Sequence, residues 1–298
     1  MSLASRFKIA LLTASCVLAI PSAWSADDIS KDARLPPGLE PDWLERLNPD
    51  IDSATAARIV AQDHAMGSQI RLHEGNWQVP KYATITATLA ASVPGMDVSG
   101  WQGNVNWSAA WSNGARFAYV KATEGTGYTN PYFAQQYNGS YNVGMIRGAY
   151  HFARPDVSSG ATQANYFVDH GGGWSRDGKT LPGALDVEYN PYGATCYGLS
   201  QSAMANWIAS FVNQYHARTG RWAVIYTSTS WWSQCVGTAG NFSNNNPLWV
   251  ARYSSSPGTL PYAWGYYTIW QYADSGTFPG DQNVFNGAYD RLQALANG

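Results

Sequence analysis

Cysteine is scarce in this 298-residue chain: Cys16, Cys196 and Cys235 are all it has. None of the spacings is CxxC or zinc-like. The five histidines, His64, His73, His151, His170 and His216, contain no HxxxH pair, so the sequence offers no metal site and implies no cofactor. Charge is sparse as well. Lys and Arg form no stripe, which argues against nucleic acid as a partner. No apolar run is long enough to span a bilayer. The apolar stretch at 9–20 is too short for that; it follows Arg6 and Lys8 and precedes Ala23-Trp24-Ser25. That is the layout of a secretory signal over residues 1–25, cleaved near Ser25 or Ala26. A secreted, extracellular protein with no membrane association after cleavage is expected, and a monomer. Removal of Cys16 leaves Cys196 and Cys235, which an oxidising compartment pairs as a disulfide.

What charge there is divides the chain. Residues 26–93 carry ten acids against six bases, whereas 94–298 carry ten of each together with eleven Trp and eighteen Tyr. The second region is therefore read as a large globular domain rich in aromatics, whose faces suit the C–H surfaces of sugars as well as core packing. The first is a leader or prosegment with too few apolar residues for its own core. Within it, Leu35-Pro36-Pro37-Gly38 breaks the chain and 41–47 can form a short helix. Ser53 can cap a longer helix through Ala65 with Ile59, Val60 and Met66 on one side, and 84–91 reads as a Thr/Ala-rich linker.

From Val93 short apolar runs alternate with helical stretches. Strands are expected at 95–99, 117–122, 146–152, 183–188, 222–227, 248–253, 267–272 and 283–285. Helices are expected at 107–113, 131–143, 159–170 and 200–219, the last between a Ser200 N-cap and a Gly220 C-cap. Loops rich in Ser, Gly, Pro and Asn leave little room for helices between the late strands. The pattern indicates an α/β fold, an incomplete TIM-like β/α barrel of eight strands and about five helices, whose last strands lack crossover helices. An open doubly wound sheet is the alternative.

The run Gly183-Ala184-Leu185-Asp186-Val187-Glu188 ends in two carboxylates at i and i+2, which a strand projects to one side. Burying two acids together is costly unless their chemistry is used. Carboxylate pairs are the apparatus of glycoside hydrolysis, one protonating the leaving oxygen and the other supporting positive charge at the sugar carbon. An isolated D-x-E is more often a solvated strand end. Here, however, Asp97 lies on the first strand and Asp281 immediately before the last, and strand C-termini of a parallel barrel converge on one mouth. Since Asp281 precedes its strand, its direction is left open. Tyr150, Tyr226, Trp270, Gln271 and Asn283 occupy similar strand positions and are candidates for lining a sugar groove, with Trp270 either core or stacking wall. Lys121 and Glu124 suit a loop-closing salt bridge, and His151 a hydrogen-bonded packing role.

Six motifs occur in order: Gly95-Met96-Asp97-Val98-Ser99-Gly100-Trp101-Gln102-Gly103, Tyr119-Val120-Lys121-Ala122-Thr123-Glu124-Gly125, Gly148-Ala149-Tyr150-His151-Phe152, Leu185-Asp186-Val187-Glu188, Trp270-Gln271-Tyr272 and Asp281-Gln282-Asn283. Together they resemble family 25 glycoside hydrolases, the Chalaropsis-type muramidases, over 94–298. The resemblance implies a flattened incomplete barrel and cleavage of the β-1,4 bond between N-acetylmuramic acid and N-acetylglucosamine in peptidoglycan glycan strands. It maps the family's acids onto Asp97, Asp186, Glu188 and Asp281. Glu188 is then the general acid, with either Asp186 or the substrate's N-acetyl oxygen attacking the anomeric carbon; the second is preferred. A chitinase-like glycosidase and an inactive wall-binding protein are the rival readings.

Overall fold

The computed structural model describes residues 51–75 and 91–298. The expected helix at 41–47, almost all of the expected linker and the expected signal segment lie outside them.

Nine strands form one sheet. They are β1 (Val93–Val98), β2 (Phe117–Glu124), β3 (Tyr128–Thr129), β4 (Ile146–Phe152), β5 (Ala184–Asp186), β6 (Val224–Ser228), β7 (Leu248–Ala251), β8 (Ile269–Ala273) and β9 (Asp281–Phe285). β3 is a two-residue ribbon folded back on β2. The other eight close a barrel, because β1 pairs with β2 on one side and with β9 on the other. From β1 through β8 the sequential pairings are parallel, as crossover connections require. β9 is antiparallel to both its neighbours, which reverses the last strand in an otherwise parallel barrel.

Two-residue alternation sorts the strand side chains into two layers. Phe117, Tyr119, Ile146, Tyr150, Ala184, Val224, Tyr226, Trp249, Ile269 and Phe285 pack together inside the barrel. Their sequence neighbours Leu185, Ile225, Val250, Trp270 and Val284 face outward and pack beneath the helices. Those helices are α3 (Trp107–Ser112), α4 (Phe133–Asn142), α5 (Gly160–Phe167), α6 (Gln201–Thr219) and α7 (Thr229–Cys235), whereas α8 (Tyr289–Asn297) packs Leu292 and Ala296 against the interior cluster. Ser200 caps α6 through the Ala203 amide and Gly220 closes it in the left-handed region at φ 71°, as the sequence indicated. α5 and α6 approach closely because Gly160 has no side chain; a Cβ there would lie 2.3 Å from the Trp207 carbonyl. His151 faces this helical layer, stacked near Phe211 and hydrogen-bonded to Thr123 and Gln163, the packing role expected of it. No crossover helix joins β7 to β8 or β8 to β9.

In the leader, α1 (Ser53–Gln62) and α2 (Ile70–Glu74) lie against the barrel. Asp52, rather than Ser53, caps α1 through the Thr55 amide. Ile59 packs with Trp101 and Tyr132, and Met66 and Ile70 join the interior cluster of the barrel. Val60, expected on the same side, is exposed. Cys196 and Cys235 form a disulfide with Cα atoms 5.3 Å apart, tying the loop after β5 to the end of α7.

Candidate active site

The barrel interior changes character along its axis. Its floor is aliphatic and aromatic; its upper rim, at the C-terminal ends of the parallel strands, is acidic. On β5, Ala184 faces inward, so Asp186 does too, and Glu188 follows two residues later. Asp97 occupies the corresponding end of β1. The reversal of β9 resolves Asp281: its N-terminal end lies beside the C-terminal end of β1, with Asp97 opposite Asp281 in register. All four acids thus reach one mouth, and none is more than 6% exposed.

Gln271 and Asn283 fix two of them. The Gln271 amide nitrogen donates to Asp97 Oδ2 at 3.0 Å and to Asp281 Oδ2 at 2.9 Å, while its oxygen accepts from the hydroxyls of Tyr226 at 2.6 Å and Tyr253 at 3.2 Å. Asn283 Nδ2 donates to Asp97 Oδ2 at 2.6 Å, and its oxygen accepts from the Trp249 indole at 2.9 Å. The Gln271 amide is saturated within the protein, and the Asn283 amide is bonded at both its nitrogen and its oxygen. The expectation that they contact substrate is therefore corrected to one of positioning the acids. Trp270 also requires correction. Alternation with Gln271 turns it outward, where it is buried among Leu185, Val250 and Val284 and donates to the Arg252 carbonyl. It cannot form a stacking wall for the mouth. Tyr150 and Tyr226 do point inward to the acids.

Asp186 and Glu188 are held differently from the other pair. Neither Asp186 oxygen, nor Oε2 of Glu188, has a hydrogen-bond partner among the described residues, although all three atoms are buried. Such orphaned polar atoms are costly in a folded interior and mark a place where something else binds or reacts. Burial pushes the Glu188 carboxyl up to about 8, although the Gly67 and Gln69 amides and the Lys121 charge favour its anion. Asp186 is raised well above the usual carboxylate range, by burial first and then by the neighbouring Glu188 charge. Burial likewise lifts Asp97 to about 7 against the pull of Asn283 and Gln271, and it raises Asp281, with Asp97 adding to the effect. A carboxyl that keeps its proton near neutral pH can act as an acid.

Lys121 lies fully buried at the edge of this group. Its ammonium is 2.6 Å from Glu124 Oε2 and 2.8 Å from Asp63 Oδ1. The expected Lys121–Glu124 bridge is present, but Asp63 of the leader shares it. Several residues at the mouth were absent from the sequence reading: Tyr253, Tyr192, Tyr189, Ser228 and Asp274. Tyr189, Tyr192 and Asp274 follow a strand end, where alternation no longer indicates direction; Ser228 closes β6, and Tyr253 continues the inward alternation of Trp249 and Ala251 in the expected strand 248–253.

Residues 96–281 match the family described as Glycosyl hydrolases family 25. Lysozyme M1 of Streptomyces globisporus is 49% identical over 237 residues, which cover 78% of this chain and 81% of that protein. The N,O-diacetylmuramidase of Chalaropsis sp is 51% identical over 211 residues, 70% of this chain and all of the relative. Among solved structures, the muramidase from Acremonium alcalophilum superposes with a TM-score of 0.68 at 61% identity, covering 69% of this chain and 99% of its own.

Proposed function

Because this chain belongs to glycoside hydrolase family 25, we propose that it is a secreted lysozyme acting as a monomer on peptidoglycan, cleaving the β-1,4 bond between N-acetylmuramic acid and N-acetylglucosamine. The relatives named above are muramidases and lysozymes by name, and no helix among the described residues is long and apolar enough to cross a membrane. The observation that carries the reading is the buried Asp186/Glu188 pair, with three carboxyl oxygens left without a protein partner.

In this reading Glu188 enters the reaction protonated: burial raises its carboxyl in the covered mouth, and a glycan seated in place of the leader excludes water from it in the same way. Its proton passes to the glycosidic oxygen as the bond from that oxygen to the anomeric carbon breaks. The substrate's own N-acetyl oxygen closes onto the anomeric carbon, forming a cationic ring that Asp186 orients and stabilises. Glu188, now a carboxylate, takes a proton from water whose oxygen attacks the same carbon and reopens the ring. Stereochemistry is retained through two displacements, as in retaining glycosidases with a protein nucleophile. Asp97 and Asp281, clamped by Gln271 and Asn283, set the charge of the pocket. Tyr150 and Tyr226 line it.

Glu188→Gln keeps the size and polarity of the side chain but removes its transferable proton. Release of new reducing ends from purified peptidoglycan should fall by about 10²–10⁴-fold, the usual contribution of a general acid–base group. Sedimentation of the protein with the wall should persist. Near-normal turnover in the variant would remove Glu188 from the acid role.

A further inference from the structure

An enzyme that cleaves a polymer needs an open cleft, yet all four acids at this mouth are buried. Their cover is the chain's own leader. The Gly67 N–H donates to Glu188 Oε1 at 2.6 Å, and the Gly67 carbonyl accepts from the Tyr253 hydroxyl at 3.1 Å. One residue earlier, the Met66 N–H donates to the Tyr150 hydroxyl at 3.2 Å. Secondary amides of the backbone therefore occupy hydrogen-bonding groups of the mouth, and a 2-acetamido sugar carries the same functional group.

The segment is anchored on both sides of this point. Upstream, Asp63 pairs with Lys121 and accepts from the Tyr128 hydroxyl at 3.0 Å, and His64 meets Glu124 through both its backbone amide and its ring at 2.9 Å. Downstream, Arg71 pairs with Asp274 at 2.6 Å, and Glu74 accepts from the hydroxyls of Tyr189 at 2.9 Å and Ser228 at 2.5 Å. Between these anchors Met66 and Ile70 are fully buried. An ion pair at one end, another at the other and two apolar plugs between them constitute a fitted ligand.

We propose that residues 63–74 are an intramolecular inhibitor, which occupies the sugar-binding mouth with its own amides and must leave before a glycan can reach Glu188. The proposal rests on the muramidase reading of that mouth. Gly67 is the critical position. Its φ is +78°, and a Cβ there would lie 2.3 Å from the Tyr253 hydroxyl oxygen, 2.6 Å from Gln271 Oε1 and 2.7 Å from the Tyr226 hydroxyl oxygen. A β-branched residue suits neither that backbone region nor that space.

The test compares the unaltered chain with Gly67→Val, both with the leader attached, on soluble peptidoglycan fragments. The initial rate should rise at least about tenfold in Gly67→Val, since apparent affinity scales with the fraction of molecules whose mouth is open. Amide hydrogen exchange over 63–72 should be slow in the unaltered chain and fast in the variant. Arg71→Ala, which removes one peripheral anchor and leaves the mouth intact, should give a smaller rise and serves if Gly67→Val folds poorly. Equal rates, or unprotected 63–72 amides in the unaltered chain, would overturn the proposal. If none of the proteins hydrolyses glycan, the muramidase reading fails on its own. Exchange together with wall sedimentation then decides the inhibitor: 63–72 released and more protein pelleting in Gly67→Val upholds it, and no change in either overturns it.

Discussion

Asn283 serves two buried partners at once, donating to Asp97 and accepting from the Trp249 indole. Replacing it with alanine would strip a donor from Asp97 and leave the indole N–H unpaired in the barrel interior. Unsatisfied buried groups of this kind cost about 1–3 kcal/mol, so Asn283→Ala should lower the urea midpoint accordingly, and an unchanged midpoint would mean the two bonds are not made. This residue and Gln271 show how far single positions were legible from sequence. Alternation along a strand was enough to put Asp97 and Asp186 at one mouth. The same alternation forbids Trp270 and Gln271 from sharing a face, and aromatic chemistry alone suggested otherwise for Trp270. That a glutamine or asparagine near acids would spend its amide on them, not on sugar, follows only from distances.

At the scale of elements, the reversal of β9 is the feature on which the site depends, and no local signal announces it. A strand preceded by a loop carries the same residues whichever way it runs; its direction is set by the closure of β1 against β9. The eight barrel strands were legible from their apolar runs, and the helices at 107–112, 160–167 and 201–219 from their Asn106, Ser159 and Ser200 caps; the helix at 133–142 has no side-chain cap and was legible from the length of chain between its flanking strands. α7 and α8 were not. Ser228 caps α7 through the Trp231 amide, but the same residue ends β6, which hides the start signal; α8 starts at Tyr289 with no side-chain cap. The disulfide joins the end of α7 to the loop following β5, closing a stretch of 39 residues that includes α6. Reducing it should lower stability by about 2–4 kcal/mol, through the freedom returned to the unfolded chain. Unfolding with and without reductant measures this, and coincident curves would contradict it.

For the whole molecule, the sealed mouth makes folding stability depend on pH in a defined direction. Asp97 and Glu188 have folded pKa values raised to about 7 and about 8. Their neutral forms favour the folded state, so this contribution is complete below the unfolded carboxylate range and is lost as pH rises through the folded values. His151 acts oppositely: burial lowers its pKa from 6.5 to about 4, so it disfavours folding as pH falls through that interval. Above pH 6.5 the acids alone determine the trend. The melting temperature should fall between pH 6.5 and 8, and the fall should shrink in Gly67→Val if displacing the leader rehydrates the acids. A melting temperature rising across that window would contradict the burial of these groups. The leader's contribution was the least legible part of the molecule. Its few apolar residues, insufficient for a core of their own, complete the core of the barrel, and only the folded arrangement pairs Asp63 with Lys121 or Gly67 with Glu188.

The most direct test of the account is the identity of the sugar at the new reducing ends when purified peptidoglycan is digested by this chain and by Gly67→Val. N-acetylmuramic acid at those ends, absent with Glu188→Gln, is the expected result. N-acetylglucosamine ends would place the cut on the other glycosidic bond and contradict the muramidase assignment, and ends that persist with Glu188→Gln would contradict the role given to the buried pair.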